Sequence, residues 1–417
     1  MKRICLISPG HLSTNPRLVK EAQSLQGAGY KVSVIHGRFK KWGTENDVAI
    51  ARQISKTLAV PFGPVEAKRI SYFKQSMVRH CAKLLVKAKL NTISIFETAH
   101  HPIVKDLITA ALAERADLYI AHYVAALPAA ARAAQRHDAL FAFDAEDFHL
   151  GDLPDLPEHR LEKKLIKTIE GYYLPRAAYM TAASPMIAEA YADTYGIALP
   201  TTVLNVFPKR NAASAPSPSG TAHPAPSVYW FSQTIGPGRG LETAIEAISR
   251  AASKPHLYLR GAVSSGFREA LSKLALTVGA SDRLHFLDPA TPEELERLGS
   301  AYDLGFVGEA PKTRNRAIAL TNKLFSYILG GLPILASDIP AHRRLADEFG
   351  CAMRLFPEND PASLAKVIDD LLLNPSRLAS ARNHTWRLGQ ERFNWDIEQI
   401  RFLDTVSRAL AQAEIYQ

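Results

Sequence analysis

Gly236-Pro237-Gly238-Arg239-Gly240 can do chemistry without any acid or base. Glycines let backbone N–H groups approach a ligand, and a helix read from Leu241 adds partial positive charge at its start. Arg239 brings a full charge on a fork that can engage two phosphate oxygens at once. Together these features suit a diphosphate. A second stretch, Asn322-Lys323-Leu324-Phe325-Ser326-Tyr327, opens a helix that ends at Gly330-Gly331 before a buried strand over residues 333–336. That order puts Asn322 and Lys323 in a first helical turn at the ligand edge of a sheet. Both stretches have plainer readings: a glycine turn with a solvated arginine, and a capped helix with an ion-paired lysine.

The first half carries a different chemistry. His122 follows a strand over residues 117–121 and could serve as a polar group near a reacting centre. Asp144-Ala145-Glu146-Asp147-Phe148-His149 directly follows another strand. Its carboxylates could orient acceptor hydroxyls, supply a general base, or hold a divalent cation; a solvated acidic loop is the plainer alternative. His122, Asp144 and Glu146 form the candidate catalytic set. Ser8-Pro9-Gly10-His11 is the first turn from strand to helix, and Gly10 there would let the backbone meet a donor. It is not a G-x-G-x-x-G fingerprint, so no NAD is inferred. The 68–90 stretch interleaves Lys68, Arg69, Lys74, Arg79, Lys83, Lys87 and Lys89 with Ile70, Phe73, Met77, Leu84, Leu85 and Val86. That spacing fits a basic amphipathic helix on anionic lipid, with Lys74, Arg79, Lys83 and Lys87 as membrane or acceptor contacts. A packed helix with a solvated basic face fits equally well.

These residues need elements to hold them. In the first half, strands are predicted over residues 2–8, 30–35, 117–121, 140–144, 178–182 and 202–205. Asn15-Pro16 caps the first helix, and Gly27-Ala28-Gly29 ends it. A strand–helix–strand unit of this length implies a parallel sheet. Residues 208–227 break the pattern with Pro, Ala, Ser and Gly, which is linker chemistry. The second half restarts the alternation, with strands over 228–232, 256–260, 283–286, 303–307, 333–336 and 351–355. Two α/β halves joined by a linker predict two Rossmann-like domains facing one another across a deep cleft.

Composition sets the limits. The chain has 417 residues, net charge +9 and 47% hydrophobic residues, enough for two full cores. Its first 100 residues hold 17 basic and five acidic side chains, so the excess positive charge is all N-terminal. An anionic partner is expected there; with no nucleic-acid module visible, lipid or a phosphorylated acceptor is favoured over nucleic acid. No apolar run is long enough to span a bilayer. Cys5, Cys81 and Cys351 have neither metal-ligand spacing nor a disulfide pattern. A cytoplasmic protein, peripheral on the inner face of the cell membrane, is the expectation.

Residues 228–338 resemble the nucleotide-binding domain of family 4 GT-B glycosyltransferases. The turn ending in Arg239-Gly240 is similar to that family's diphosphate loop. Asn322-Lys323-Leu324-Phe325-Ser326-Tyr327, with Gly331-Leu332-Pro333, resembles the branch written N-K-L-F-E-Y…G-x-P. In the first half, Asn15-Pro16-Arg17-Leu18 with Gly29-Tyr30-Lys31-Val32, Asp117 to His122, and Val203 to Pro208 resemble the family's segments in the same order. The resemblance implies a GT-B α/β fold with an N-terminal acceptor-binding domain over 1–207. It implies a nucleotide-sugar-binding domain over 228–394 and a C-terminal helix over 395–417 packing back on the first domain. It also implies an enzyme of the hexosyltransferase type that moves a sugar from an NDP-sugar to an acceptor hydroxyl with retention, in polysaccharide or glycolipid synthesis. The acceptor would be a sugar or a lipid-linked one, with neither cofactor nor bound metal. His122 would contact the transferred sugar, and Gly10, Gln233, Gly238, Arg239, Gly240, Arg260, Asn322, Lys323 and Ser326 would line the donor site. Two positions depart from the pattern. Ser326 and Ile318 stand where the family often carries Glu-x7-Glu, and Gln233 where it carries arginine; Glu309 is nearby but out of register. An epimerase or hydrolase on the same fold, or a non-catalytic partner protein, are the competing readings.

Overall fold

The structure is a computed structural model that describes residues 1–66, 69–212, 215 and 225–415. Two compact units emerge: Met1–Val203 with Gln399–Gln417, and Leu204–Glu398. The division falls ahead of the linker expected at 208–227, for a hydrogen-bonding reason. Trp395 N donates to Phe207 O, and Leu204 N donates to Glu398 Oε2, so residues 204–207 stay with the second unit. Linker residues 213, 214 and 216–224, and Lys68 of the basic stretch, lie outside the described residues. The helix Trp395–Ile415 starts in the second unit, and its residues from Gln399 count with the first, where Ser24 Oγ donates to Gln399 Oε1.

The first unit is built on seven parallel strands: β1 (Arg3–Ser8), β2 (Lys31–Arg38), β3 (Lys56–Pro61), β4 (Leu118–His122), β5 (Leu140–Ala145), β6 (Met180–Ala182) and β7 (Thr201–Thr202). Their order is β3-β2-β1-β4-β5-β6-β7. Ile4 to Ile7 and Leu118 to Ala121 are fully buried, the unbroken apolar run of a strand covered on both faces. Asn15 caps the helix Pro16–Gly27 by accepting from Leu18 N at 3.0 Å, with Pro16 in its first turn. Edge strand β3 has no counterpart among the sequence expectations. Val60 alone is buried in it, so it lacks the apolar run that marks a central strand.

The second unit has six parallel strands: β8 (Ser227–Ile235), β9 (His256–Val263), β10 (Leu284–Leu287), β11 (Leu304–Val307), β12 (Ile334–Ser337) and β13 (Met353–Phe356). The order is β10-β9-β8-β11-β12-β13. Helix Leu241–Arg250 buries Leu241, Ala244, Ile245 and Ile248 at helical spacing. They join one core with Val228, Trp230, Leu257, Leu259 and Phe306. Each such large side chain contributes about 1.5–3 kcal/mol of transfer free energy. On the sheet's other face lies helix Asn322–Gly330, buried over nearly its whole length. Gly305 makes the approach possible, since a Cβ there would sit 2.5 Å from the Tyr327 ring. The Tyr327 hydroxyl donates to Tyr229 O at 3.0 Å and to Phe306 O at 3.2 Å. That lock fixes the helix against β8 and β11, and so fixes Lys323 in its first turn.

Both sheets reverse their direction of growth at their first strand. The gap lies between β1 and β4 in the first unit, and between β8 and β11 in the second. Loops at the carboxyl ends of such strands part there and leave room for a ligand. Among the described residues no helix is long and apolar enough to cross a membrane.

Candidate active site

The second unit's gap is lined by the glycine turn after β8 and by Gly308-Glu309 after β11. Gly238 has φ 73° and Gly240 φ 66°, conformations that side-chain-bearing residues rarely adopt. Gly240 is also needed for space, because a Cβ there would lie 2.6 Å from Gly308 O. It precedes helix Leu241–Arg250 and provides no side-chain cap to its first N–H groups. Arg239 Nη1 lies 3.6 Å from Glu309 Oε1, and Lys323 Nζ lies 3.9 Å from the same oxygen. Lys323 is buried, with its ammonium 5.3 Å from the Trp230 ring centroid. Burial lowers its pKa to about 8, against the pull of Glu309 and with help from Arg239 and Arg316. Two cations, a glycine turn and a helix start therefore converge on one small volume, a seat for an anion.

The other donor-side candidates fall around this seat or away from it. Asn322 is exposed in the first turn of its helix. Arg260 ends the inner stretch of β9, its Nε donating to the Tyr229 hydroxyl at 3.0 Å and its Nη1 to Asp288 O at 2.8 Å. Gln233 is exposed in β8, where the register slips. Phe231 pairs with Arg260 but Thr234 with Ala262, so β8 carries one extra residue, a bulge. Ser326 is 2% exposed and turned into the fold. Gly10 belongs to the first unit's gap, in the turn after β1. Gly37 makes that turn possible, as a Cβ on it would lie 1.9 Å from Pro9 O. His11 anchors it. Its Nδ1 meets Asp47 Oδ2 at 2.8 Å, and its Nε2 accepts from Phe39 N and Lys40 N at 3.1 and 3.0 Å. The first α-helix begins only at Pro16, after a single 3-10 turn at Leu12–Thr14, so Gly10 does not adjoin the α-helix N-terminus.

Of the grouped candidates His122, Asp144 and Glu146, the structure brings His122 and Asp144 together in a buried cluster. Asp144 accepts from Arg17 Nε and Nη2, both at 2.7 Å, and from the Thr181 hydroxyl. Arg17 also donates to Val203 O and lies 3.4 Å from Glu21. His122 stands between two carboxylates, with Nε2 3.2 Å from Glu21 and Nδ1 3.4 Å from Asp144. All four side chains are within 2% of complete burial. Burial alone would raise the Asp144 pKa, but Arg17 outweighs it and holds the carboxyl low. Burial disfavours the His122 imidazolium, yet Glu21 and Asp144 leave its pKa raised. For Glu21, burial and Asp144 push the carboxyl up. Glu21, His122 and Asp144 are close enough to hold a metal ion. The Arg17 guanidinium already bonds both Asp144 oxygens, so a cation there would compete with it for that carboxylate. Asp144 is thus held by Arg17 and Thr181, while His122 Nε2 is buried without a hydrogen-bond partner.

Glu146 is the most accessible of the three. It is half-buried just beyond β5. Burial and Asp147 push its carboxyl up to about 7, against the pull of Arg17. A carboxyl with that affinity exchanges protons near neutral pH. Its hydrogen-bond partner Tyr123 was absent from the sequence candidates. Tyr123 follows β4 with φ 66° and ψ 153°, a strained conformation for a bulky residue and one concentrated at functional sites. The Tyr123 ring centroid is 5.9 Å from that of His149. His149 in turn meets the Tyr191 hydroxyl at 2.7 Å and Glu170 at 3.3 Å. Strain of this kind leaves no mark in sequence.

The basic stretch forms the helix Arg69–Lys87, which buries Ala82 and Val86 but leaves several larger apolar side chains outside. Phe73, Met77 and Leu84 are 68%, 55% and 50% exposed. Arg79 and Lys83 instead face the protein. Arg79 donates to Ala99 O and His100 O, satisfying the end of helix Ile93–His100, and Lys83 pairs with Glu162. Lys74 and Lys87 are exposed beside the apolar stripe.

No protein-family model matches the chain, and neither does any curated protein. Solved structures match along nearly its whole length. HepE of Anabaena, solved with UDP and glucose, has TM-score 0.70 and 17% identity, covering 98% of this chain and 100% of that one. Sucrose-phosphate synthase of Thermosynechococcus elongatus gives 0.74 and 16%, covering 99% and 100%. The apo lipopolysaccharide outer core galactosyltransferase WaaB gives 0.60 and 14%, covering 97% and 99%. At these identities the likeness establishes architecture: two parallel-sheet α/β domains of the GT-B fold.

Proposed function

We propose that this chain is a retaining glycosyltransferase, moving a sugar from an NDP-sugar to an acceptor hydroxyl in polysaccharide or glycolipid synthesis. The observation that carries it is the convergence of Arg239 and Lys323 on one point beside the Gly238–Gly240 turn. A leaving nucleoside diphosphate gains negative charge as its bond to the sugar breaks. Fixed cations and backbone N–H groups aimed at that charge stabilise the transition state, usually the largest catalytic contribution. HepE has been solved with UDP and with UDP-glucose, which makes a UDP-sugar the first donor to try. Retention in one displacement requires the acceptor oxygen to bond to the anomeric carbon on the face from which the diphosphate departs; the bond to the diphosphate breaks, and the acceptor proton passes to a base, a role for which Glu146 is the candidate.

The Arg69–Lys87 helix supports a lipid-linked acceptor at a membrane surface. An outward apolar stripe flanked by Lys74 and Lys87 matches the interface of an anionic bilayer. Placement of the protein as a peripheral one on the inner membrane face rests on that stripe.

Three outcomes are expected. Calorimetric titration with UDP, GDP and their sugars should detect binding at millimolar ligand or below, and Arg239→Ala should weaken it by about 1.5–3 kcal/mol. Absence of binding sinks the donor site, and sugar conversion without an acceptor favours an epimerase or hydrolase. The transfer rate should rise with pH through about 7, because a base acts deprotonated and Glu146 titrates there. Glu146→Gln should lower kcat by roughly 10²–10⁴ and abolish that limb; an unchanged limb removes Glu146 as the base. Co-sedimentation with vesicles should require anionic lipid and drop several-fold in Met77→Asp/Leu84→Asp. Equal binding by that variant contradicts docking through the helix.

A further inference from the structure

Glu309 has no role in the reaction as described, yet it stands in the middle of the anion seat. Its Oε1 is 3.6 Å from Arg239 and 3.9 Å from Lys323. Its side chain is only 12% exposed, so water screens these pairs weakly. The position is fixed from behind. Glu309 follows Gly308, whose backbone is pressed against Gly240, and a Cβ on Gly308 would meet the Phe306 ring at 2.3 Å. The carboxylate thus projects from the β11 side of the gap toward the two cations that the donor's diphosphate needs.

We infer that Glu309 is the seat's internal counter-anion, holding Arg239 and Lys323 in place while the site is empty and yielding them to the diphosphate. This rests on the donor site proposed above. The exchange has two consequences. A ligand must replace two ion pairs at once, which a diphosphate spanning both cations can do and a single phosphate does poorly. When the sugar has left, the carboxylate competes for the same cations and drives the nucleoside diphosphate out. Glu309 therefore lowers product affinity and sets selectivity for a diphosphate over inorganic phosphate, without touching the sugar. The exchange moves no covalent bond and no electron.

The test compares the full-length protein with Glu309→Gln and Glu309→Ala in titrations with UDP and with inorganic phosphate. It is run at pH 6.5, because Glu309 helps keep Lys323 protonated and its loss would otherwise cost that charge. Both variants should bind UDP about tenfold more tightly or better, release it more slowly in stopped flow, and gain proportionally more for phosphate. Thermal unfolding verifies that each variant is folded. Unchanged or weaker UDP binding by either folded variant overturns the inference. If neither the parent protein nor the variants bind nucleotide, the donor-site reading falls instead. Arg239-dependent binding that ignores Glu309 defeats this inference alone.

Discussion

A parallel sheet grown outward in both directions from its first strand must part its loops at that strand. This constraint acts twice here, at β1/β4 and at β8/β11. The chemical groups that matter follow from it. Tyr123 lies just past the end of β4, the glycine turn just past β8, and Glu309 just past β11. Glycines then permit close approach where the loops cross, Gly37 under Pro9 and Gly240 against Gly308.

The two gaps handle charge in opposite ways. In the first unit Arg17 and Asp144 satisfy one another away from solvent, while both Glu21 oxygens and His122 Nε2 are buried beside them without a hydrogen-bond partner. Losing one partner of the Arg17–Asp144 pair would strand a buried charge at a cost of about 3–5 kcal/mol. The cluster stiffens the ends of β4 and β5, and Glu146 stands just outside it, where burial and Asp147 tune its proton affinity. In the second unit the balance is incomplete. Arg239 and Lys323 share the single carboxylate of Glu309, so positive charge is left over for a ligand.

Periodicity made most of the fold legible. The buried central strands announced themselves as apolar runs, and Asn15-Pro16 marked its helix start. The edge strand β3 and helix Lys41–Ala51 passed unseen because they bury too few apolar side chains. The glycine turn with Arg239, and the helix start at Lys323, were readable because glycine and charge are conspicuous at the end of a strand. Three features were not. An isolated His122 or Asp144 gives no sign of facing Arg17, which is 127 residues from Asp144. The strain at Tyr123 exists only in the folded backbone. Glu309 looked out of register because register with a family motif says nothing about which cations a side chain reaches. Along the Arg69–Lys87 helix, composition revealed the basic character but not that Arg79 and Lys83 turn inward.

The central claim is that the Gly236–Gly240 turn and the helix start after it bind a diphosphate through backbone N–H groups. Amide hydrogen exchange with and without saturating UDP tests it most directly. The account predicts slowed exchange in peptides spanning residues 236–243, with a smaller effect around Glu309 and Lys323. Protection confined to other segments, with 236–243 exchanging as fast as in the free protein, would contradict it.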